Sequence, residues 1–233
     1  MTGLSIQEAR VHGPPSARDR DPVLLLLHGR GSSEADLGGL ASSLIRAVEA
    51  GSDGGRLQVV TPRAPWPGQP WGYGMGWAWY RYLGEDRPES DTLAATLEAL
   101  DRFIDDLPER LGREPGPLVL GGFSQGGTTS LAWSLTRKGR AVGAANLSGF
   151  LAQVPLVQNA LIGARDFPVF WGHGRMDPAI PHSLAEKGRR VLEEAGADLE
   201  IHDHEGGHTI TPSEVAGMAG WLGGVISKRP LER

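Results

Sequence analysis

The sequence predicts an α/β protein with a mostly parallel sheet covered by helices on both faces, and three observations predict it. Short, continuous apolar runs recur along the 233 residues. Stretches whose apolar residues fall at helical spacing separate those runs. No repeat, low-complexity tail or linker divides the chain, so residues 1–233 are expected to form a single domain.

The apolar runs are 23–27, 57–60, 118–120, 141–147 and 168–171. Runs this short suit strands buried on both faces of a parallel sheet. Weaker strands flank them. Residues 4–11 alternate and read as an edge strand, and residues 199–204 set Leu199, Ile201 and Asp203 against polar neighbours. Leu37, Leu40, Leu44, Ile45 and Val48 form the first helical stripe. Leu93, Leu97, Leu100, Ile104 and Leu107 form the second, with Ser90 or Asp91 as its N-cap. Further stripes lie in 128–136, 184–195 and 215–226. Functional residues of such sheets collect at the carboxyl ends of the strands.

Composition narrows the function classes. A domain of this length buries enough surface to fold without disulfides or a structural metal. The absence of cysteine removes thiol catalysis and Cys-based zinc sites. A net charge of −5 without a clustered basic stripe argues against a nucleic-acid partner. Residues 1–20 hold no apolar core of signal-peptide length, and no run approaches the roughly 20 apolar residues that span a bilayer. A cytoplasmic protein with no membrane span is expected.

The segment from Pro117 to Gly127 runs from a strand into a helix through Gly122-Phe123-Ser124-Gln125-Gly126. This G-x-S-x-G pattern, in that context, places a serine on a sharp turn where side chains two residues to either side would clash. The Ser124 hydroxyl is thereby exposed at the top of the sheet, and the Gln125 N–H at the helix start can stabilise an oxyanion. Among 34 glycines the pattern alone means little; the flanking strand and helix give it weight. A dinucleotide-binding turn is excluded because Phe123 occupies the middle glycine position, and no G-K-[ST] follows to make a P-loop.

A serine hydroxyl needs an imidazole to take its proton. His208, in Glu205-Gly206-Gly207-His208-Thr209, follows the last expected strand and fits the chain order Ser, Asp, His of α/β-hydrolases. Asp177 lies in the loop after the 168–171 strand and would hold the His208 tautomer. His204-Glu205-Gly206-Gly207-His208 also spells H-E-x-x-H, a zinc-peptidase signature that works only on a helix. Paired interior glycines, each costing about 1 kcal/mol relative to alanine, make that helix implausible. After the 23–27 strand comes His28-Gly29-Arg30-Gly31, the usual source of a second oxyanion donor, here the Arg30 N–H. His28 itself reads as a brace for that loop.

With these segments in hand, the chain resembles the phospholipase/carboxylesterase family of the α/β-hydrolase superfamily, which includes acyl-protein thioesterases. The matching stretches are Leu27-His28-Gly29-Arg30-Gly31, Thr61-Pro62-Arg63-Ala64-Pro65, Gly121-Gly122-Phe123-Ser124-Gln125-Gly126-Gly127, His173-Gly174-Arg175-Met176-Asp177-Pro178 and Gly207-His208-Thr209-Ile210-Thr211-Pro212. The resemblance implies an α/β-hydrolase fold, a triad of Ser124, Asp177 and His208, and oxyanion donors at Arg30 and Gln125. It also implies hydrolysis of small or medium acyl esters or thioesters, small-molecule substrates, with no cofactor and no metal. A homodimer is compatible with all of this.

One stretch departs from the family pattern. Residues 65–83 are unusually rich in tryptophan, with Trp66, Trp71, Trp77 and Trp79 among Tyr73, Tyr80 and Tyr82. The rings either pack a long loop onto the body or grip the acyl group, and Trp77 and Trp79 are the pocket candidates, together with Met176 beside the acid. Two other readings stand against the esterase. One is a non-catalytic ligand-binding protein on the same fold, and the other a zinc hydrolase built on His204 and His208.

Overall fold

The computed structural model describes residues 3–14, 17–51 and 56–228. Among these residues nine strands follow in chain order. They are β1 (Ala9–His12), β2 (Val23–Leu27), β3 (Gln58–Pro62), β4 (Trp66–Pro67), β5 (Trp77–Ala78), β6 (Leu118–Phe123), β7 (Gly143–Leu147), β8 (Pro168–Gly174) and β9 (Asp198–His204). The helices are α1 (Gly38–Gly51), α2 (Ser90–Asp105), α3 (Leu107–Leu111), α4 (Gln125–Thr136), α5 (Pro155–Ala160), α6 (His182–Glu194) and α7 (Pro212–Lys228). Seven strands form one sheet in the order β1-β3-β2-β6-β7-β8-β9. Only β1 runs antiparallel, against β3; every other pairing in this sheet is parallel.

The period-2 geometry of the strands divides the core in two. Val23, Leu25 and Leu27 face a cluster that includes Leu93, Leu97 and Phe103 of α2, Leu131 of α4 and Leu192 of α6. Leu24 and Leu26 face the other side, against Leu44 and Val48 of α1 and Met218 and Leu222 of α7. All five residues of β2 are fully buried, each contributing roughly 1.5–3 kcal/mol of transfer free energy, which is why the strand is apolar throughout. Helix α4 covers the expected 128–136 stripe but is buried from Gln125 to Leu135, on all faces rather than along one stripe.

The edges depart from the sequence expectations. The edge strand occupies Ala9–His12 rather than the alternating stretch from residue 4. Glu89, not Ser90 or Asp91, is the N-cap of α2, and its side chain makes no capping bond. Helix α5, six residues long and begun by Pro155, was too short to leave a periodic signal. The tryptophan-rich stretch is not structureless: β4 and β5 pair as a small antiparallel ribbon around a 3-10 turn at Gln69–Trp71.

The turn from β6 into α4 fixes the layout of the site. Ser124 sits at φ 56°, ψ −118°, a strained conformation for a residue with a side chain. A Cβ on Gly126 would strike the carbonyl oxygen of Leu27 and come within 2.6 Å of that of His28. One on Gly122 would lie 2.7 Å from the Leu27 oxygen. Since these obstacles are backbone atoms, they cannot swing aside.

Gly126→Ala should therefore destabilise the protein by about 1–3 kcal/mol or more, as overpacking does. Each kcal/mol corresponds to roughly 2–4 °C of melting temperature in a chain this long. An unchanged melting temperature would contradict the close approach.

Glu214, near the start of α7, is 2 % exposed. Burial raises its pKa from 4.5 to about 7, with the nearby Asp203 adding to the rise; the Thr211 N–H and the Arg189 charge oppose it. The folded chain thus holds this proton more tightly than the unfolded chain, and the stabilisation present below pH 4.5 is lost as pH rises toward 7. Glu214→Gln should flatten that decline, read as the difference in urea midpoint between about pH 4.5 and about pH 7. If the slope persists, the proton belongs to another group.

Candidate active site

Three loops at the carboxyl ends of β6, β8 and β9 bring Ser124, Asp177 and His208 together. The Ser124 Oγ lies 2.9 Å from Nε2 of His208, and Nδ1 of the same ring lies 2.6 Å from Oδ2 of Asp177. An ionised Asp177 can only accept, so Nδ1 carries the proton and the bare Nε2 accepts from the serine hydroxyl. Phe123 packs against the His208 ring with centroids 4.7 Å apart.

Each member is held by its own turn. The Ser124 N–H donates to the Leu147 carbonyl at 2.7 Å, anchoring the strained residue to β7. Asp177 is 6 % exposed, and its Oδ1 accepts the Ala179 and Ile180 N–H groups at 2.8 and 2.9 Å. Burial pushes this carboxyl up, but the Ile180 N–H, the His208 imidazole and the Ala179 N–H outweigh it and hold the pKa below its ordinary value. His173, buried at the end of β8, reaches the Ile180 carbonyl at 2.8 Å through Nε2 and so fastens the far end of that turn.

The loop after β2 completes the constellation. Nε2 of His28 accepts the Ala64 N–H at 3.0 Å, so Nδ1–H donates to the Gly29 carbonyl at 2.7 Å. Burial lowers the pKa of this histidine to about 4 and keeps it neutral; it braces the loop, as its position suggested. Gly31 N–H donates to the Trp77 carbonyl, and Trp77 N–H to the Ser32 carbonyl, both at 2.8 Å. Among the described residues the Arg30 and Gln125 N–H groups donate to no protein oxygen. Two residues with unspent N–H donors thus line the same cavity as the hydroxyl and the imidazole, a set of groups suited to nucleophilic acyl transfer.

A cavity of about 250 Å³ opens over Ser124 and His208. Its walls include Tyr80, Tyr82, Phe123, Phe150 and Ile180, with Arg30 among the polar lining residues. Trp77, Trp79 and Met176 do not line it, which corrects the expectation placed on them. The Trp79 indole is fully buried because its N–H donates to the His28 carbonyl at 2.8 Å and its ring lies beside the His28 imidazole. Trp77 lies under the Arg63 guanidinium, and Met176 projects into solvent with 67 % exposure. The tyrosines at 80 and 82 of the same segment line the cavity instead.

The side chain of Gln125 also escaped the sequence reading. Its Oε1 accepts the Trp79 backbone N–H and its Nε2 donates to the Tyr80 carbonyl, both at 2.8 Å, tying α4 to the aromatic segment. As for H-E-x-x-H, His204 ends β9 and no helix joins it to His208. The His204 Nδ1 accepts the Gly206 N–H, while His208 faces Asp177 and Ser124.

The chain is similar to known proteins in both sequence and fold. The family model for phospholipase/carboxylesterase matches residues 11–225. An acyl-protein thioesterase 1 of Cryptococcus neoformans var. neoformans serotype D is 30 % identical, the match covering 86 % of this chain and 90 % of that one. A putative hydrolase of Bacillus subtilis, MhqD, is 29 % identical over 86 % of this chain and 92 % of its own. The crystal structure of esterase PE8 superposes with a TM-score of 0.77 at 25 % identity, covering 96 % of this chain and 100 % of that one. A carboxylesterase from Mesorhizobium loti shares the fold with a TM-score of 0.73 at 21 % identity, covering 96 % and 97 %. The fold is that of the α/β-hydrolases, and the chain belongs to the phospholipase/carboxylesterase family.

Proposed function

We propose that the protein is a cytoplasmic serine hydrolase that cleaves small or medium acyl esters or thioesters through an acyl-enzyme. The observation that carries this reading is the relay from Ser124 through His208 to Asp177, at 2.9 and 2.6 Å. Ser124 Oγ attacks the acyl carbonyl while Nε2 of His208 takes its proton. The Arg30 and Gln125 N–H groups receive the developing oxyanion, and the Asp177 carboxylate stabilises the imidazolium. His208 then returns the proton to the departing alcohol or thiol. Water, deprotonated by the same imidazole, releases the acid and restores the serine.

The cavity supports an acyl substrate: it opens directly over Ser124 and His208, and Tyr80, Tyr82, Phe123, Phe150 and Ile180 supply apolar wall for the chain. The relatives' names, acyl-protein thioesterase and carboxylesterase, support thioesters and esters alike as substrates.

Ser124→Ala should keep the melting temperature near that of the parent and lower kcat/KM for a p-nitrophenyl ester by roughly 10⁴-fold or more. Inactivation by a serine-directed phosphonate, but not by a chelator, should accompany it. Undiminished turnover in the alanine variant would remove Ser124 from the mechanism.

Trp79→Phe leaves the His28 carbonyl without its buried donor and loosens the loop that carries Arg30. It should lower kcat about tenfold with KM nearly unchanged, since an oxyanion donor acts in the transition state. A rise in KM at constant kcat would instead make Trp79 a substrate contact.

A further inference from the structure

The side chain of Arg30 plays no part in the acyl-transfer steps, which use only its N–H. It is exposed at the cavity, with its guanidinium carbon 4.8 Å from the Tyr73 ring centroid and 5.5 Å from that of Tyr82. The Tyr82 backbone N–H donates to the Tyr73 hydroxyl at 2.8 Å, which ties the two tyrosines beside this cation together. Contact with a ring face engages the guanidinium through its π-surface and leaves the N–H groups at its edge available. Among the described residues no oxygen accepts a hydrogen bond from this guanidinium and no carboxylate pairs with it. Arg63, Arg137 and Arg189, by contrast, are paired with Glu34, Asp101 and Asp203.

Among the described residues none of the nearby carboxylates forms an ion pair with this cation, Glu85 near Tyr82 included. Asp86, close to Tyr82, is neutralised by Lys187 at 2.6 Å. Asp36 lines the same cavity but is exposed and forms no ion pair with Arg30. The nearby walls formed by Tyr80, Phe150 and Ile180 are largely apolar. A planar, pre-oriented cation beside such walls matches a carboxylate, which it can bind with two parallel hydrogen bonds.

We propose that Arg30 forms a carboxylate-recognising subsite, so that preferred substrates carry a carboxylate close to the scissile ester or thioester. The inference rests on the hydrolase reading and adds a substrate class to it. The carboxylate belongs either to the acyl half, as in a monoester of a dicarboxylic acid, or to the leaving group.

Binding of amide analogues tests this without relying on turnover. One pair is N-(4-nitrophenyl)glutaramate and the neutral N-(4-nitrophenyl)pentanamide, with the charge on the acyl side. The other is 4-butanamidobenzoate and its methyl ester, with the charge on the leaving-group side. Titration into the wild-type chain should show the carboxylate bound about five- to tenfold more tightly in one pair, which identifies the half that carries it. Arg30→Gln should abolish that preference, Arg30→Lys should retain part of it, and added salt should shrink it. The proposal is overturned if neither pair shows a preference, or if Arg30→Gln, with an unchanged melting temperature, leaves the ratio as it was. Absence of ester turnover in the wild type would defeat the hydrolase reading alone and leave this ratio intact.

Discussion

The whole arrangement depends on the contact between the β6–α4 turn and the end of β2. Gly122 and Gly126 press against the Leu27 and His28 carbonyls so closely that neither position accommodates a Cβ. Only that approach lets Ser124 stand in a positive-φ conformation at the top of the sheet while its N–H bonds to Leu147 on the neighbouring strand. The same contact brings the start of α4 beside the 28–32 loop, so the Gln125 and Arg30 amides come from two segments that already touch. The Ser124 hydroxyl and these amides are therefore positioned by backbone packing, which has few soft degrees of freedom to lose.

Around this contact the polar groups are tied down rather than merely nearby. Asp177 spends one oxygen on two backbone amides and the other on His208, so the imidazole meets a carboxylate that cannot rotate away. Near by, the partly buried Asp203 pairs with His182, Arg189 and Arg175. The Arg189 guanidinium and the His182 imidazole outweigh the burial that would raise its pKa and hold it below the ordinary carboxylate value. A partly buried charge with several partners is tolerable where an unpaired one is costly.

The aromatic segment gains its meaning from the same logic. Trp79 and Gln125 bond to each other and to the backbone around them, while the β4–β5 ribbon pairs through Trp77 with the loop carrying Arg30. The segment is a scaffold on one side and, through Tyr80 and Tyr82, a cavity wall on the other. Whether a tryptophan packs or grips was open in the sequence because both uses ask for the same large apolar ring. The indole N–H decided it, since a buried donor goes where a carbonyl is waiting.

By itself, the sequence determined the strands that are apolar throughout, the helices with a polar face, and the three loops bearing Ser124, Asp177 and His208. Period and local turn chemistry are properties of neighbouring residues and survive without the fold. Tertiary structure decided what depends on residues distant in the chain: the position of the edge strand, helix α5, and the division of labour between Trp79 and Tyr80. It also decided that the Arg30 side chain rests on Tyr73 and Tyr82, about 40 to 50 residues away along the chain. Such contacts are selected by packing and by the need to satisfy buried polar groups, and no local pattern encodes them.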